Sequence, residues 1–190
     1  MSHLGTQFED ALLYATRLHT NQLRKGSPVP YISHLLGVAA LVLEDGGSEN
    51  EAVAALLHDA VEDQGGLATL DIIRQRFGEE VAEIVEDCTD AFVSPKPPWR
   101  ERKEEYLRHL PQASPAVRRV SLADKLHNAR AILASLWKDG EGLWDRFNGG
   151  KEGSLWYYQE LAQIFQSTGN DWMAHELRSC VEEMLSYADR

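Results

Sequence analysis

Cysteine is scarce: Cys88 and Cys180 are the only two in 190 residues. They lie far apart and match no ligand spacing, which argues against a disulfide scaffold and for a reduced, cytoplasmic chain with buried thiols. Long apolar runs are missing too. Gly37-Val38-Ala39-Ala40-Leu41-Val42-Leu43 and Ala52-Val53-Ala54-Ala55-Leu56-Leu57 fall well short of the ~20 residues a membrane-spanning helix needs. The polar start Met1-Ser2-His3 has no signal-peptide character. Positive charge is in deficit, with 19 Lys and Arg against 30 Asp and Glu for a net charge of -11. Such a surface repels phosphate backbones and anionic lipid, so neither a nucleic-acid polymer nor a membrane is an expected partner. An anionic small molecule has to be held by a local cluster of Lys and Arg or by a metal cation. Oligomeric state is left open, homo-oligomers included.

Alternating apolar and polar runs bounded by turn signals are hardly visible, while period-3.6 patterning dominates. The expectation is an all-α fold: one compact bundle of about eight to ten helices in a single domain over 1–190, given the typical size of domains. Phe8, Ala11, Leu12, Ala15 and Leu18 mark a first helix that the Gly26-Ser27-Pro28-Val29-Pro30 stretch ends. His34 to Glu44 forms a second. Ser48 and Glu51 make a capping box for a third, expected to run through Leu56, Leu57 and His58 toward Gly65-Gly66. Thr69 is read as the cap of a short helix ending at Phe77-Gly78, and Val81, Ile84 and Val85 pattern the next. The three prolines between 91 and 98 suggest a mobile flap. A charged helix (Arg100 to Leu110), a periodic one (Ser114-Pro115 to about Trp137) and two last helices (Ser154 to about Gln166, Asp171 to Ala188) complete the pattern.

His58 and Asp59 sit at the end of an apolar run, where ionisable side chains are costly unless paired or bound to a metal. His34, one turn before Val38, and Asp124, inside Val120-Ser121-Leu122-Ala123, are two further positions of the same kind. Singly, each is more often structural. Together they make a mixed nitrogen and oxygen donor set suited to Mn²⁺, Fe²⁺, Co²⁺ or Zn²⁺ and poorly suited to Ca²⁺. Glu62 and Asp63 come one turn after His58 and Asp59; they could be a solvated acidic helix end or carboxylates that accept a proton from an activated water.

The run Leu56-Leu57-His58-Asp59-Ala60-Val61-Glu62-Asp63 with Leu122-Ala123-Asp124-Lys125-Leu126-His127-Asn128 downstream resembles the HD-domain metal-dependent phosphohydrolases. It is most similar to the RelA/SpoT-type (p)ppGpp hydrolase domain and its stand-alone form, the small alarmone hydrolases. His19-Thr20-Asn21-Gln22-Leu23-Arg24-Lys25-Gly26, Pro30-Tyr31-Ile32-Ser33-His34 and Arg76-Phe77-Gly78-Glu79-Glu80-Val81 fall in the family's order, so the resemblance spans roughly residues 7 to 136, and 137–190 is read as a helical extension completing the domain. The resemblance implies that His34, His58, Asp59 and Asp124 bind a single Mn²⁺. It also implies that Glu62 and Asp63 activate water, that Asn128 contacts the nucleotide, and that Arg24 and Lys25 lie near its phosphates, with His19 in support. Gln64 stands where the family often has Thr, and Lys125 where it often has Arg. Lys151 and Tyr157, in the aromatic segment 147–158, are further candidate contacts, though core packing explains such a segment as well. Lys96, Arg100, Arg102 and Lys103 could line the mouth of the site or decorate an exposed helix. The activity implied is metal-dependent release of the 3′-pyrophosphate of guanosine tetra- or pentaphosphate within the stringent response. Two alternatives stay open: an HD phosphohydrolase acting on a nucleoside monophosphate or a 2′-phosphorylated nicotinamide dinucleotide, and an idle, metal-stapled nucleotide sensor.

Overall fold

The structure, a computed structural model, describes residues 4–89, 97–168 and 172–188. Among them the fold is all-α, and the only pairing of extended backbone is an isolated bridge between Leu23 and Pro30. The chain forms two compact units, one of residues 1–96 and 113–123, the other of residues 97–112 and 124–190.

The first unit holds α1 (Thr6–Leu18), α2 (Ile32–Glu44), α3 (Glu49–Leu57), α4 (Ala60–Asp63), α5 (Leu67–Phe77) and α6 (Glu79–Cys88). Its centre is α3, in which every residue from Glu51 to Leu57 is buried. An all-apolar helix centre has no solvent face, so α1, α2 and α6 pack around it. Full burial of a side chain such as Leu56 contributes about 2 kcal/mol. The expected capping box is present: Glu51 N donates to Ser48 Oγ at 3.2 Å and Ser48 N to Glu51 Oε2 at 2.6 Å. The turn before it requires glycine twice. Gly46 has φ +77, and a Cβ on Gly47 would stand 2.6 Å from Val42 Cγ1 and 2.8 Å from Val42 O.

The second unit holds α7 (Trp99–His109), α9 (Gly150–Thr168) and α10 (Trp172–Ala188), together with most of α8 (Pro115–Asp139), whose first turns belong to the first unit. Leu126, Leu136, Leu161, Met173, Leu177 and Met184 are fully buried.

Four expectations need correction. The first helix ends at Leu18 rather than near Gly26, because the Thr20 hydroxyl bonds back to Thr16 O and Arg17 O at 2.9 Å and the chain then enters the bridged loop. The helix through His58 is broken at His58-Asp59, with Asp59 at φ -95 and ψ -2. Thr69 lies inside α5, where its hydroxyl donates to Gln64 O at 2.8 Å, and Gly66 occupies the cap position with φ +62. The helix placed at Ser154 begins at Gly150. The segment 91–96, with Lys96, and the start at Asp171 lie outside the described residues.

Candidate functional site

In the first unit α2 carries His34 in its first turn, and the break between α3 and α4 carries His58 and Asp59. One ligand atom from each lies within 4.8 Å of the other two. His34 and His58 are 0% and 3% exposed, so both imidazoles sit where a polar ring must be engaged. His58 Nδ1 is 2.8 Å from Ala55 O. A carbonyl can only accept, so Nδ1 carries the proton, and in the neutral ring the lone pair is on Nε2. That Nε2 faces Asp59 Oδ2 at 3.0 Å, and His34 Nε2 faces the same oxygen at 3.5 Å. A lone pair against a carboxylate oxygen is repulsive unless a cation, a metal ion or a second ring proton, stands between them. Two imidazoles and one carboxylate, with a backbone carbonyl fixing a ring from behind, fit a divalent transition metal.

Asp59 Oδ2 also accepts from Tyr31 Oη at 2.5 Å. The Tyr31 ring lies stacked on buried His19 with centroids 5.3 Å apart and edge-on to His34 at 5.6 Å, and His34 is edge-on to His58 at 5.2 Å. The Arg24 guanidinium lies 5.6 Å from the Tyr31 ring centroid, and Lys25 is exposed in the same loop. On α4, Glu62 is half-buried and Asp63 exposed. Asp63 Oδ2 accepts from Gln22 Nε2 at 2.7 Å, while Gln22 Oε1 accepts from Gln64 Nε2 at 2.5 Å and from His19 Nδ1 at 2.7 Å.

In the second unit Asp124 is 7% exposed; Asn128 Nδ2 donates to its Oδ1 and Lys125 Nζ to its Oδ2, each at 2.6 Å. Burial opposes the charge on Lys125, but the Asp124 carboxylate together with the Tyr157 and Tyr106 hydroxyls outweighs it and holds the ammonium well above the usual lysine range. Tyr157 is 6% exposed, its hydroxyl has no hydrogen-bond partner among the described residues, and burial pushes its pKa well above the usual phenol range. Lys103 Nζ lies 5.1 Å from its ring centroid. Trp99 seats on backbone: a Cβ on Gly149 would stand 2.7 Å from its ring, and Arg100 stacks 3.2 Å over Trp156. Lys151 is paired with Glu141 at 2.8 Å.

Of the expected ligands, then, the first unit brings together His34, His58 and Asp59, whereas Asp124 belongs to the second and is engaged there by Lys125 and Asn128. Two residues given no role from sequence stand against the site carboxylates, Gln22 and Tyr31. Each lies three positions from a buried histidine, His19 and His34, and that spacing is the signal that could have found them.

A family model of the HD domain matches residues 11–142, and the chain belongs to that family. It is 43% identical over 126 residues to guanosine-3′,5′-bis(diphosphate) 3′-pyrophosphohydrolase MESH1 of Xenopus tropicalis, covering 65% of this chain and 68% of the relative. To the Homo sapiens protein of that name it is 40% identical over 135 residues, covering 70% and 73%. Among solved structures, a metazoan ortholog of SpoT that hydrolyzes ppGpp matches with a TM-score of 0.77 over 96% of this chain and 98% of the other, at 23% identity, a likeness of fold. A Listeria monocytogenes EGD-e protein matches with a TM-score of 0.70 at 30% identity, over 80% of this chain and 99% of the other. No helix of the described residues is long and apolar enough to cross a membrane.

Proposed function

We propose that the protein is a metal-dependent phosphohydrolase that releases the 3′-pyrophosphate of ppGpp or pppGpp, giving GDP or GTP and pyrophosphate, in the cytoplasm, and that 1–190 works as one HD hydrolase domain. The observation that carries the reading is the convergence of His34, His58 and Asp59 within 4.8 Å in a chain 43% identical to a pyrophosphohydrolase of this specificity. The donor set suits Mn²⁺ among the divalent transition metals. Asp124 completes the ligand set in this reading, on the strength of the ordered sequence series. When bound, such an ion supplies Lewis acidity toward a phosphoryl oxygen and acidifies a coordinated water.

The chain's own groups do the rest. In the hydrolysis, a water oxygen bonds to the phosphorus attached to O3′, the P–O3′ bond breaks, one proton leaves the water and one reaches O3′. Glu62 and Asp63 accept the first and return the second. Arg24 and Lys25 offset substrate charge on a protein of net charge -11. Asn128, Lys151 and Tyr157 are assigned to the nucleotide.

The test is to incubate the pure protein and Mn²⁺ with ppGpp and other phosphorylated nucleotides and to identify products by anion-exchange chromatography. GDP and pyrophosphate in equal amounts are expected. Orthophosphate from another nucleotide, with ppGpp intact, would overturn the substrate assignment.

A further inference from the structure

The loop between α1 and α2 is closed by backbone. Tyr31 N donates to Gln22 O at 2.9 Å, Arg24 N donates to Val29 O at 2.8 Å, and Leu23 and Pro30 form the isolated bridge. Ser27 N returns to Arg24 O at 3.0 Å, and Gly26 takes φ +69 at the tip. Gln22 and Tyr31 therefore face one another at the base of a small hairpin that carries Arg24 and Lys25. Their side chains reach different carboxylates: Tyr31 Oη bonds Asp59, and Gln22 Nε2 bonds Asp63.

We propose that Gln22 and Tyr31 are positioning residues: a strut, braced across the base of the basic loop, that sets the metal-binding carboxylate Asp59 at one end and the proton-handling carboxylate Asp63 at the other. The inference rests on the reading above for the roles of Asp59 and Asp63. At the Tyr31 end, the hydroxyl donor leaves Asp59 an acceptor whose Oδ2 is held in front of the His34 and His58 rings, as the partners behind a metal ligand ordinarily do. The ring itself is wedged between His19 and His34, so it cannot swing away without breaking both ring contacts. At the Gln22 end, the amide has one allowed orientation. The Asp63 carboxylate can only accept, so the NH₂ points at Asp63 and the oxygen is left facing Gln64 Nε2 and His19 Nδ1. Turning the amide over would set its oxygen against the Asp63 carboxylate. Gln64, which stands where the family often has Thr, is thus part of the device. The Arg24 guanidinium over the Tyr31 ring makes the loop's cation and the strut one packed unit.

The test uses the full chain with Tyr31→Phe, Gln22→Leu and Gln22→Glu. Mn²⁺ affinity is read without nucleotide from the electron paramagnetic resonance of the free ion. The Asp63 carboxyl is titrated by carbon-13 NMR, and the thermal midpoint of the metal-free protein reports folding. Tyr31→Phe is expected to weaken Mn²⁺ binding on the order of 10- to 100-fold with an unchanged midpoint. Gln22→Leu is expected to leave Mn²⁺ binding within about twofold, to raise the Asp63 titration midpoint by about half a unit or more through loss of a donor to the charged form, and to lower kcat on ppGpp on the order of tenfold or more while KM holds. Gln22→Glu keeps the size of the side chain but sets a carboxylate against Asp63, and it is expected to raise that midpoint further. Wild-type Mn²⁺ affinity in Tyr31→Phe, or an unmoved Asp63 titration in both Gln22 variants, overturns the strut. If the wild-type chain leaves ppGpp intact, the substrate reading fails by itself, while the metal and carboxyl titrations, which need no substrate, still decide the inference.

Discussion

The two units hold their polar chemistry in different ways. In the first, buried imidazoles are interlocked with a half-buried and an exposed carboxylate: Asp59 Oδ2 faces Tyr31, His58 and His34, and one Gln22 amide serves His19, Gln64 and Asp63. In the second, rings carry the chemistry: Arg100 lies on Trp156 and Lys103 over Tyr157, and the buried Tyr157 hydroxyl and Trp144 Nε1 have no partner among the described residues. His19 Nε2 in the first unit is also buried without a partner among the described residues, so the contrast lies in how the side chains are linked to one another rather than in whether every polar atom is satisfied. The first unit therefore has the preorganised arrangement that chemistry on a phosphate requires. The second has aromatic rings over which its own cations lie.

The largest expected effects would break this contrast at its root. Asp59→Ala removes the carboxylate that faces both imidazoles and should abolish Mn²⁺ binding and turnover together, checked by metal analysis and product chromatography. Asp124→Ala asks whether a carboxylate of the second unit shares the task. The same double loss is expected, and retention of metal and activity would confine the ion to the first unit's residues. Next in size, Glu62→Gln should keep Mn²⁺ while kcat falls on the order of 10²- to 10⁴-fold, the usual contribution of a proton-transfer group. A loss of metal instead would move Glu62 from proton handling into the ligand set.

Much of this was legible before any coordinates. The 3.6-residue period gave the all-α class, and the capping box at Ser48 and Glu51 opened α3 where the structure has it. The His58-Asp59 pair stood out because an apolar run rarely ends in two adjacent ionisable groups. The break of the helix at that pair was not legible, since neither residue is a glycine or a proline. It matters, because a turn rather than a continuous helix sets the relative directions of His58 and Asp59. Thr69 looked like a cap because its hydroxyl can cap; the positive φ that Gly66 supplies won the position instead. The roles of Gln22 and Tyr31 depend on a hairpin closed by backbone hydrogen bonds, which leaves no periodicity to read.

A smaller effect should sharpen the comparison without touching the metal residues. Within the first unit, Arg119 bonds Asp45 Oδ2 at 2.8 Å and Glu51 Oε1 at 2.5 Å, and Glu51 is 6% exposed. Burial opposes the charge on Arg119, but its two carboxylate partners outweigh that and raise its pKa. Arg119→Ala would leave Glu51 charged and nearly buried with only its capping bonds. A loss of about 1–3 kcal/mol in urea unfolding is expected, discounted because the guanidinium is itself partly exposed. Mn²⁺ affinity should be unchanged, which would separate the unit's frame from its site.

The smallest effect turns on the second unit's orphaned hydroxyl. Burial raises the Tyr157 phenol, and burial followed by the Glu176 carboxylate raises the Cys180 thiol. Both are acids that the folded state keeps neutral. Above their unfolded values, about 8.5 for a thiol and 10 for a phenol, the unfolded chain binds fewer protons than the folded one, so stability falls as pH rises. Their contribution is complete below those values and is lost on the alkaline side, up to each raised folded pKa. Tyr157→Phe removes one such group, at most about 1.4 kcal/mol per pH unit of the slope, and also removes a buried donor with no partner. The variant should therefore be as stable as the parent or up to about 1 kcal/mol more stable near neutral pH, and should lose less between pH 9 and 11 on the same reasoning. Urea unfolding at both ends of that range measures it. Retained stability with a raised KM for ppGpp would mean that the hydroxyl is kept for substrate at the expense of packing, the kind of exchange a functional site makes. A less stable variant with an unchanged alkaline slope would show instead that Tyr157 is bonded in the folded protein, and the contrast between the units would shrink to one of composition.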